Sequence, residues 1–502
     1  MANVLEQDLA RRIEQSRTDQ IVGASLADAF RMNLSHLTRR ELLRNAAGLA
    51  VGGVASSVLL RAQDKAMKRT FDVAEYGAIG DGHTLDTAAF QRAIDEAAAI
   101  GSGARVLVRG GKRYLIGALQ LKARIDFHLV DDAELIVSTD PAHFAGGAAL
   151  HAIDADGLKI TGTGTINGRS REFMTHYDEV AEWWRPKSFR PRLMVLTGCK
   201  DVEVRDLTFR DAPSWTLHLV GCERVLIDGV KIRNQLDVPN CDGIDPDHCR
   251  DVEIKNCDIE CGDDAIVIKA TRQGAHYGGC SNIVVSDCVL ATQDSGVKIG
   301  TETVSDIRDN RFERCKIISS CRGCTIQLRD QGNVSGIEFR DIDFVARYHS
   351  APWWGRGEAI SFTAIPRTPE TQLGKLSAVR VINVTGRAEN SVRIVGSPQS
   401  RIQDVVFENV GITLDRWTKY PGAVWDNRPT TAVPDLEPHN TPGFGVRYVD
   451  NLTLKATRLD WGGHRPDYFT HALEAENVTG LNLETFSGEA AHPARAQAIV
   501  VR

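Results

Sequence analysis

The sequence predicts an all-β protein folded as a parallel β-helix, a solenoid in which each turn of the chain adds one strand to each of several sheets. A short strand pattern recurs along the chain every 23–31 residues, which is a typical solenoid period. No helical periodicity separates the copies, so several strands, rather than a strand and a helix, are expected in each repeat. The composition agrees, because 44 glycines and an aromatic content of 6% suit short strands and tight turns.

Six segments carry the recurring pattern most clearly. Aliphatic residues stand three and five positions after the start of a segment, and a small or apolar residue stands at the ninth position; the copy at 307 departs from this with Asn310. The six segments start at 199, 222, 249, 280, 307 and 333, and looser copies start at 155, 376, 402 and 449. Because alternate residues of a strand face the same side, both aliphatic positions are expected to point into the solenoid.

Eleven cysteines occur, all of them between residues 199 and 324. An odd, clustered set is a poor disulfide framework. Four of them open successive repeats and are expected to form an interior ladder of small apolar side chains: Cys199, Cys222, Cys249 and Cys280. Cys321 and Cys324 form a C-x-x-C pair, which alone within a strand repeat is a weak signal for a redox or zinc site.

A short amphipathic helix is predicted before the repeats, within residues 71–101. The stretch DTAAFQRAIDEAAA (86–99) has apolar residues at helical spacing, and Asp86 or Thr87 is placed to cap its N-terminus. We expect this helix to close the open end of the solenoid, because an uncovered end exposes core residues and a sheet edge.

The composition argues against a nucleic-acid partner and against a membrane span. Net charge is −6 and charged residues make up 25% of the chain, so no strong field favours nucleic acid. No apolar run reaches the roughly 20 residues that a transmembrane helix needs.

Residues 37–60, LTRRELLRNAAGLAVGGVASSVLL, resemble a twin-arginine export signal. Arg39 and Arg40 precede a weakly apolar, Gly/Ala-rich run from 46 to 60, and the small residues at 55–57 offer a cleavage zone. The alternative is an ordinary amphipathic helix with a chance Arg-Arg pair.

On the export interpretation, residues 1–69 are a leader and residues 70–502 form a single β-helix domain. Met32 is a candidate for the true start, because the stretch before the arginine pair is long for such a signal. The mature protein is then expected to be periplasmic or secreted, with no membrane anchor once the signal is removed.

Three aspartates are expected to converge on one wall of the solenoid. CDGIDPD (241–247) and DDAIVIK (263–269) are corresponding turns and strands of successive repeats. Stacking them places Asp242 beside Asp263 and Asp264, in coils about 4.8 Å apart. The inward stack predicted for this wall is Ile244, Ile266, Val297 and Ile326, and the outward column beside it is Asp245, Val267, Lys298 and Gln327.

Crowded carboxylates are suited to acid–base chemistry. Adjacent like charges raise at least one pKa, which leaves a carboxylic acid beside a carboxylate near neutral pH. Hydrolysis of a glycosidic bond uses such a pair, because the acid protonates the leaving oxygen while the carboxylate activates water. A separation of roughly 6.5–9.5 Å would accommodate that water and invert the anomeric centre. The alternative is that the aspartates only cap turns between coils.

Two motifs resemble family 28 glycoside hydrolases, the polygalacturonase-like enzymes with a right-handed parallel β-helix. NCDGID (240–245) is similar to the family's N-T-D-G-x-D motif, and CGDD (261–264) is similar to its G/Q-D-D motif. The resemblance extends over roughly residues 70–490 and includes YGAIGDG (76–82) and the predicted capping helix.

The resemblance implies a catalytic domain that cleaves a pectin-like or related plant polysaccharide or oligosaccharide with inversion. It makes Asp263 the general acid, while Asp242 and Asp264 hold and deprotonate the water. It implies neither a cofactor nor a metal.

Two positions depart from the family pattern. Where the family has G-H-G, this chain has DSG (294–296), with Ser295 at the histidine position. Where the family has R-I-K, whose cations bind a galacturonate carboxylate, this chain has Thr325-Ile326-Gln327. The subsite for an acidic sugar is therefore expected to be rebuilt. The candidate replacement cations are Lys298, Arg322 and Arg329.

Two long loops are expected to form a rim for sugar binding. Residues 172–192 and 349–367 interrupt the repeats, and each carries a Trp-Trp pair beside arginines. Aromatic faces stack on sugars and arginine binds hydroxyl or carboxylate groups, although such loops can also bury their tryptophans. The stretch 415–445 is predicted to be a further covering loop. The residues expected to bind substrate are Asn240, Asp245, His276, Lys298, Glu302, Arg329, Trp353, Trp354, Arg356 and Glu358.

Two alternative functions fit the same scaffold. A polysaccharide lyase or C5-epimerase would use Lys298 as a base and calcium among the aspartates to neutralise a uronate. It would release an unsaturated, UV-absorbing product and stop with a chelator, whereas a hydrolase makes new reducing ends. A non-catalytic carbohydrate-binding β-helix would bind glycan and form no product.

Overall fold

The computed structural model describes residues 69–144 and 146–502. The predicted leader lies outside the described residues, apart from Arg69. Within the described part of the chain, no helix is both long and apolar enough to cross a membrane.

The predicted parallel β-helix is confirmed. In the described chain, 35 strands are hydrogen-bonded into one continuous sheet that wraps into three faces, and successive coils are paired in parallel. The first face contains β1 (Thr70–Asp72), β3 (Ala104–Val108), β6 (Ile125–Leu129), β9 (Lys159–Gly162), β14 (Lys200–Arg205), β17 (Glu223–Asp228), β20 (Arg250–Lys255), β23 (Cys280–Ser286), β26 (Ile307–Glu313) and β38 (Asn482–Glu484). The second face contains β2 (Asp81–Leu85), β4 (Lys112–Ile116), β7 (Ala133–Val137), β10 (Thr165–Asn167), β15 (Thr208–Arg210), β18 (Lys231–Arg233), β21 (Asp258–Cys261), β24 (Val289–Thr292) and β27 (Lys316–Ser320).

The third face carries the aspartates. It contains β5 (Leu119–Gln120), β8 (Ala148–Ile153), β13 (Arg192–Thr197), β16 (Leu217–Val220), β19 (Ile244–Asp247), β22 (Ile266–Ala270), β25 (Ser295–Thr303), β28 (Arg322–Leu328), β30 (Glu358–Ala364), β32 (Asn390–Val395), β37 (Leu473–Thr479) and β39 (Ile499–Val501). Four long strands run from one face into the next: β29 (Val334–Ala346), β31 (Leu376–Ala388), β33 (Ile402–Leu414) and β36 (Phe444–Trp461).

Two antiparallel hairpins project from the solenoid. They are formed by β11 (Met174–Asp178) with β12 (Trp183–Pro186), and by β34 (Val424–Asp426) with β35 (Leu436–Pro438). Four short 3-10 helices complete the described elements, at Val73–Tyr76, Pro141–His143, Ser170–Phe173 and Ala275–Tyr277.

The core is a column of apolar side chains that continues from coil to coil. Phe312, Phe339 and Phe362 are fully buried and stack one above another, with ring centroids 5.3 and 5.6 Å apart. Burial of apolar surface stabilises by roughly 25 cal/mol per Å², so each added coil contributes through its contact with the previous one.

The predicted cysteine ladder is confirmed. Cys199, Cys222, Cys249 and Cys280 are fully buried, and all eleven cysteines are buried free thiols in the described chain. The backbone N–H of Cys249 donates to the sulfur of Cys280 at 3.2 Å. These residues therefore act as small apolar side chains inside the solenoid.

The capping helix is also confirmed, as α1 (Thr87–Ile100). Phe90 packs edge-on against Tyr114, with ring centroids 5.2 Å apart, which attaches the helix to the first coils. Asp86 is the N-cap residue but makes no side-chain bond to the helix. Its carboxylate instead accepts hydrogen bonds from the backbone of Ile79 and Gly80, at 2.7 and 3.0 Å.

The predicted register of the third face is right for three coils and wrong for the fourth. Ile244 pairs with Ile266, and Ile266 pairs with Val297, as expected. Val297 then pairs with Cys324 instead of Ile326, and Lys298 pairs with Thr325 instead of Gln327. The partners in β28 therefore lie two residues earlier in the chain than predicted, and the pairing of this strand begins with Ser295 and Arg322. Such a shift keeps inward residues inward, so the alternating pattern could not reveal it.

Candidate active site

The predicted aspartates lie in two neighbouring turns at the N-terminal edge of the third face. Asp242 precedes β19, and Asp263 and Asp264 precede β22. The backbone N–H of Gly243 donates to the carbonyl of Asp264 at 2.9 Å, which joins the turns. A side chain at Gly243 would not fit, because its Cβ would lie 2.3 Å from the carbonyl oxygen of Ala265. The three carboxyl groups each place an oxygen within 4.8 Å of the other two.

The three carboxyl groups line a cavity of about 160 Å³. Trp215 and Trp354 contribute aromatic surface to it. Its charged lining residues are Asp242, Asp263, Asp264, Asp294, Glu302, Lys269, Lys298, Arg322 and Arg428. So many charged groups in a small buried cavity are stable only when they are paired or hydrogen-bonded. The partners of each charged group therefore determine its protonation state.

Asp263 is held by N–H donors. The backbone N–H of Asn240 donates to its Oδ2 at 3.1 Å, and the backbone N–H of Asp264 donates to its Oδ1 at 3.0 Å. Burial raises the pKa of Asp263 well above its usual range, and the charge of Asp242 adds to the rise. Asp263 is therefore suited to hold a proton near neutral pH.

Asp264 is paired with a buried lysine. Lys298 Nζ donates to Asp264 Oδ2 at 2.7 Å and lies 3.5 Å from Asp294 Oδ2. Burial and the charge of Asp294 raise the pKa of Asp264, whereas Lys298 opposes the rise, and the result is about 6. For Asp294, burial is outweighed by Lys298 and Arg322, so the pKa of that carboxyl is lowered.

A second buried lysine pairs with Asp242. Lys269 Nζ lies 3.5 Å from Asp242 Oδ2, 3.6 Å from Asp245 Oδ1 and 3.6 Å from Glu302 Oε2, and it stacks 4.5 Å from the ring centroid of Trp215. Burial raises the pKa of Asp242 well above its usual range, with Asp245 adding to the rise and Lys269 opposing it. Burial likewise raises the pKa of Asp245, to about 7. Each lysine therefore faces one of the two aspartates expected to act on water.

Arg322 lies at the base of the cavity and is 1% exposed. Its Nη1 donates to Asp294 Oδ1 at 3.0 Å, and its Nη2 lies 3.4 Å from Asp426 Oδ2. Its Nε and Nη2 have no hydrogen-bond partner among the described residues. This guanidinium is therefore surrounded by three buried carboxylates, since its Nε also lies 3.8 Å from Glu358 Oε2.

Four of the ten residues expected to bind substrate line the cavity: Asn240, Lys298, Glu302 and Trp354. Asp245 lies next to it, fully buried beneath Lys269. His276 does not approach it, because the 3-10 helix that carries it lies beyond the C-terminal end of β22, whereas the aspartates precede the N-terminal end. His276 is exposed, and its ring lies against that of Tyr277, with centroids 4.0 Å apart and ring planes tilted by 39°.

The other four residues are used to hold loops together, contrary to our expectation. Trp353 is fully buried and packs edge-on against Trp183, with centroids 5.3 Å apart. Arg356 donates to backbone carbonyls of its own loop, and Glu358 accepts from the backbone N–H of Arg356 at 2.6 Å. Arg329 is fully buried and donates to Thr363 and to nearby backbone carbonyls. The alternative that such loops bury their tryptophans thus holds for Trp353 but not for Trp354.

The environment of Lys298 argues against the lyase or epimerase alternative. Burial lowers its pKa, but Asp264 and Asp294 outweigh burial and raise it. A general base must be neutral at the working pH, and this ammonium is held charged. The ammonium groups of Lys269 and Lys298 also lie against the same carboxylates that a calcium ion would need.

Sequence reasoning missed Lys269, Asp294, Trp215 and Arg428. Two of them had a usable signal. Lys269 lies two residues after Val267 on the outward side of β22, directly downstream of the aspartate pair. Asp294 stands in the next coil at the corresponding turn. Arg428 carried no such signal, because its position depends on how a distant hairpin packs.

The sequence matches a family of known proteins. The model of glycosyl hydrolases family 28 matches residues 107–421. A probable polygalacturonase of Vitis vinifera is 31% identical over 284 residues, covering 50% of this chain and 56% of the relative. A polygalacturonase of Chamaecyparis obtusa is 27% identical over 286 residues, covering 55% of this chain and 54% of the relative. The chain thus spans about half the length of the curated relatives it matches.

Solved structures agree in fold. The exopolygalacturonase of Thermotoga maritima superimposes with a TM-score of 0.60 at 20% identity, covering 79% of this chain and 92% of that one. The family 28 exopolygalacturonase of Yersinia enterocolitica gives 0.63 at 19% identity, covering 84% and 79%. At these identities the likeness concerns the β-helix alone. The family match extends over more than half of the sequence and includes all three clustered aspartates. The chain therefore belongs to glycosyl hydrolases family 28.

Proposed function

We propose that this protein hydrolyses glycosidic bonds in a pectin-like or related plant polysaccharide or oligosaccharide by general acid–base catalysis. The observation that carries the proposal is the convergence of Asp242, Asp263 and Asp264, whose carboxyl oxygens lie within 4.8 Å of one another in a cavity. The polygalacturonase names of the relatives support the class of substrate.

In the proposed reaction Asp263 is the acid and Asp242 and Asp264 act on water. Asp263 gives its proton to the leaving glycosidic oxygen as the C–O bond breaks. Water held by Asp242 and Asp264 gives its hydroxyl to the anomeric carbon and its proton to Asp264, the carboxylate paired with Lys298, so one water is consumed for each bond cleaved. The two lysines support this division, because Lys298 contacts Asp264 and Lys269 contacts Asp242.

The stereochemical part of the proposal is inversion, which rests on family membership. The nearest oxygens of the three carboxyl groups are closer together than the roughly 6.5–9.5 Å separation of carboxyl groups common in inverting enzymes. Spacing therefore does not supply the argument, and the configuration of the product has to be measured.

An acidic sugar is the favoured substrate. The polygalacturonase names of the relatives support a uronate. Four cations line the cavity, each beside a carboxylate: Lys269, Lys298, Arg322 and Arg428. Thr325 and Gln327, which replace the family's carboxylate-binding cations, carry no charge. These four cations would therefore bind a uronate carboxylate from different positions.

The test incubates purified protein with a panel of plant and algal polysaccharides and measures new reducing ends. We expect Asp263→Asn and Asp264→Asn each to lose at least about 100-fold in rate. The matched control is Asp309→Asn, at an exposed position of β26 with φ of 57°, a conformation that asparagine accepts. Full activity in both site variants would overturn the catalytic assignment. Glycan binding without any product would instead favour the carbohydrate-binding alternative.

We also propose that residues 1–69 are a twin-arginine leader and that residues 70–502 are the exported catalytic domain. The support is the Arg39-Arg40 pair before a weakly apolar run. Replacing both arginines with lysine should leave the full-length protein in the cytoplasm of a host with twin-arginine export. Unchanged export of that variant would reject the signal.

A further inference from the structure

Three surface segments that are far apart in the chain meet beside the carboxylate cavity. They are residues 174–186, 349–357 and 415–440, and together they are called the wall. The first contains the β11–β12 hairpin and the third contains the β34–β35 hairpin. Because the regular coils do not need these segments, their mutual contacts call for a separate explanation.

Glu182, in the first segment, joins the other two. Its backbone carbonyl accepts from Trp353 Nε1 at 3.3 Å, and its carboxylate accepts from Lys419 Nζ at 2.7 Å and from the hydroxyl of Tyr420. Glu182 therefore contacts the second segment through its backbone carbonyl and the third segment through its carboxylate, and it links all three segments.

Asp426 and Arg428 join the second segment to the third. The backbone N–H of Gly355 donates to Asp426 Oδ2 at 2.8 Å, and Arg428 Nη2 donates to the carbonyl of Trp353 at 2.7 Å. The Arg428 guanidinium also stacks on Trp354, 4.9 Å from the ring centroid. The surface formed by Trp354, Arg428 and Pro429 is part of the cavity lining.

The wall crosses the third face close to the catalytic aspartates. Gln327 Nε2 donates to the carbonyl of Arg428 at 3.5 Å, and Arg329 Nη2 donates to the carbonyl of Asn427 at 3.3 Å. Both donors belong to the coil of β28, two coils after the turn that carries Asp264. Two coil spacings amount to about 10 Å, so a sugar chain lying along the solenoid meets the wall shortly after the reaction centre.

The cavity beside the wall is small. Its volume of about 160 Å³ is below the roughly 300–1,000 Å³ of typical ligand pockets. Trp354, Arg428 and Pro429 of the wall supply part of its lining, so the wall limits the space beside the reaction centre.

We propose that the wall closes one end of the cleft, so that the enzyme removes short units from the ends of its polysaccharide substrate. This inference rests on the proposed hydrolase function and deepens it. The bond chemistry is unchanged: one glycosidic C–O bond is broken and one water is consumed for each unit released.

Buried polar atoms at the closed end fit a terminal sugar. Gln327 Oε1 and Arg322 Nη2 are buried and have no hydrogen-bond partner within the described structure. Both side chains line the cavity. Gln327 Oε1 is an acceptor without a partner beside the wall and is suited to a hydroxyl group of a terminal uronic acid, whereas Arg322 Nη2 already lies 3.4 Å from Asp426 Oδ2.

The test uses de-esterified homogalacturonan, prepared as a long-chain and a short-chain fraction of equal mass. If the enzyme works from chain ends, the initial rate follows the concentration of ends and is higher for the short chains. Early products are of one short length, and viscosity falls little for each reducing end formed. Equal rates with an early ladder of intermediate lengths would overturn this inference alone. Absence of product from both fractions would overturn the acidic-sugar part of the proposed function, and this inference would fall with it.

A variant that opens the wall tests whether the wall is responsible for the short product length. Trp354→Ala combined with Arg428→Ala should increase the share of intermediate-length products, because chains can then pass the wall. The matched control is Trp461→Ala with Arg458→Ala, a Trp and Arg pair on β36 outside the wall, which should keep the short product. Intermediate products that stay at the level of the control, in a variant with a normal circular dichroism spectrum, would contradict the assigned role of the wall.

Discussion

Lys298 Nζ lies 2.7 Å from Asp264 Oδ2, and both side chains are buried. The shortest hydrogen bonds to the Asp263 carboxyl group come at 3.1 and 3.0 Å from the backbone N–H groups of Asn240 and Asp264. The two neighbouring carboxyl groups therefore differ in their partners: Asp264 is paired with an ammonium ion, whereas Asp263 is hydrogen-bonded to backbone amides. This difference gives a physical reason for a division into base and acid that residue types alone cannot supply.

Replacing Lys298 with methionine tests this division. The variant keeps most of the side-chain volume and removes the charge, so we expect the pKa of Asp264 to rise above about 6. The kcat/KM at pH 5–6 should fall by about 10- to 100-fold, and the rising side of the pH profile should move to higher pH. Lys316→Met, at an exposed site on the second face, is the control. An unmoved profile would separate Lys298 from the titration of the cluster.

The pH dependence of the unmodified protein should be bell-shaped. Activity should rise as pH increases through about 6, because the carboxylate that takes the water proton must lose its own proton first. It should fall at higher pH, as the raised pKa of Asp263 is passed and the acid is lost. Since the groups interact, both limits belong to the cluster as a whole. The measurement is kcat/KM between pH 4 and 9, and a profile that rises steadily would contradict Asp263 as the acid.

The anomeric configuration of the first product provides a separate prediction. Proton NMR during the first turnovers should show the reducing-end anomer opposite to that of the substrate linkage, followed by slow mutarotation. Retention would indicate a covalent intermediate and would assign one aspartate as a nucleophile. The carboxyl oxygens lie within 4.8 Å of one another, a spacing that does not itself indicate inversion. The configuration of the product therefore decides between inversion and retention.

The aromatic column in the core predicts a large effect on stability. Phe339→Ala removes the middle ring of three stacked phenylalanines and should lower the free energy of unfolding by about 3–5 kcal/mol. Val180→Ala, at a side chain that is 90% exposed, should change it by less than about 0.5 kcal/mol. Urea unfolding followed by fluorescence would compare them, and similar midpoints would contradict the packing argument.

The sequence was sufficient to predict the solenoid, the capping helix and the convergence of the aspartates. Each follows from local rules, because a strand repeat with short turns leaves few ways to stack successive coils. The register of Gln327 was wrong by two residues, since a shift of two preserves the side each residue faces. Trp353 and Trp354 are adjacent in sequence, yet one is buried among loops and the other faces the cavity. Their difference depends on residues 182 and 428, and no local pattern contains that information.

The cysteine ladder has a practical consequence for following the protein in solution. All eleven thiols are shielded in the folded chain, and they are spread over the coils from residue 199 to residue 324. A thiol-reactive dye should therefore leave the native protein unlabelled and mark each of these coils only when it opens. Mass spectrometry of the labelled peptides would then show the order in which the central coils come apart, with no engineered probe.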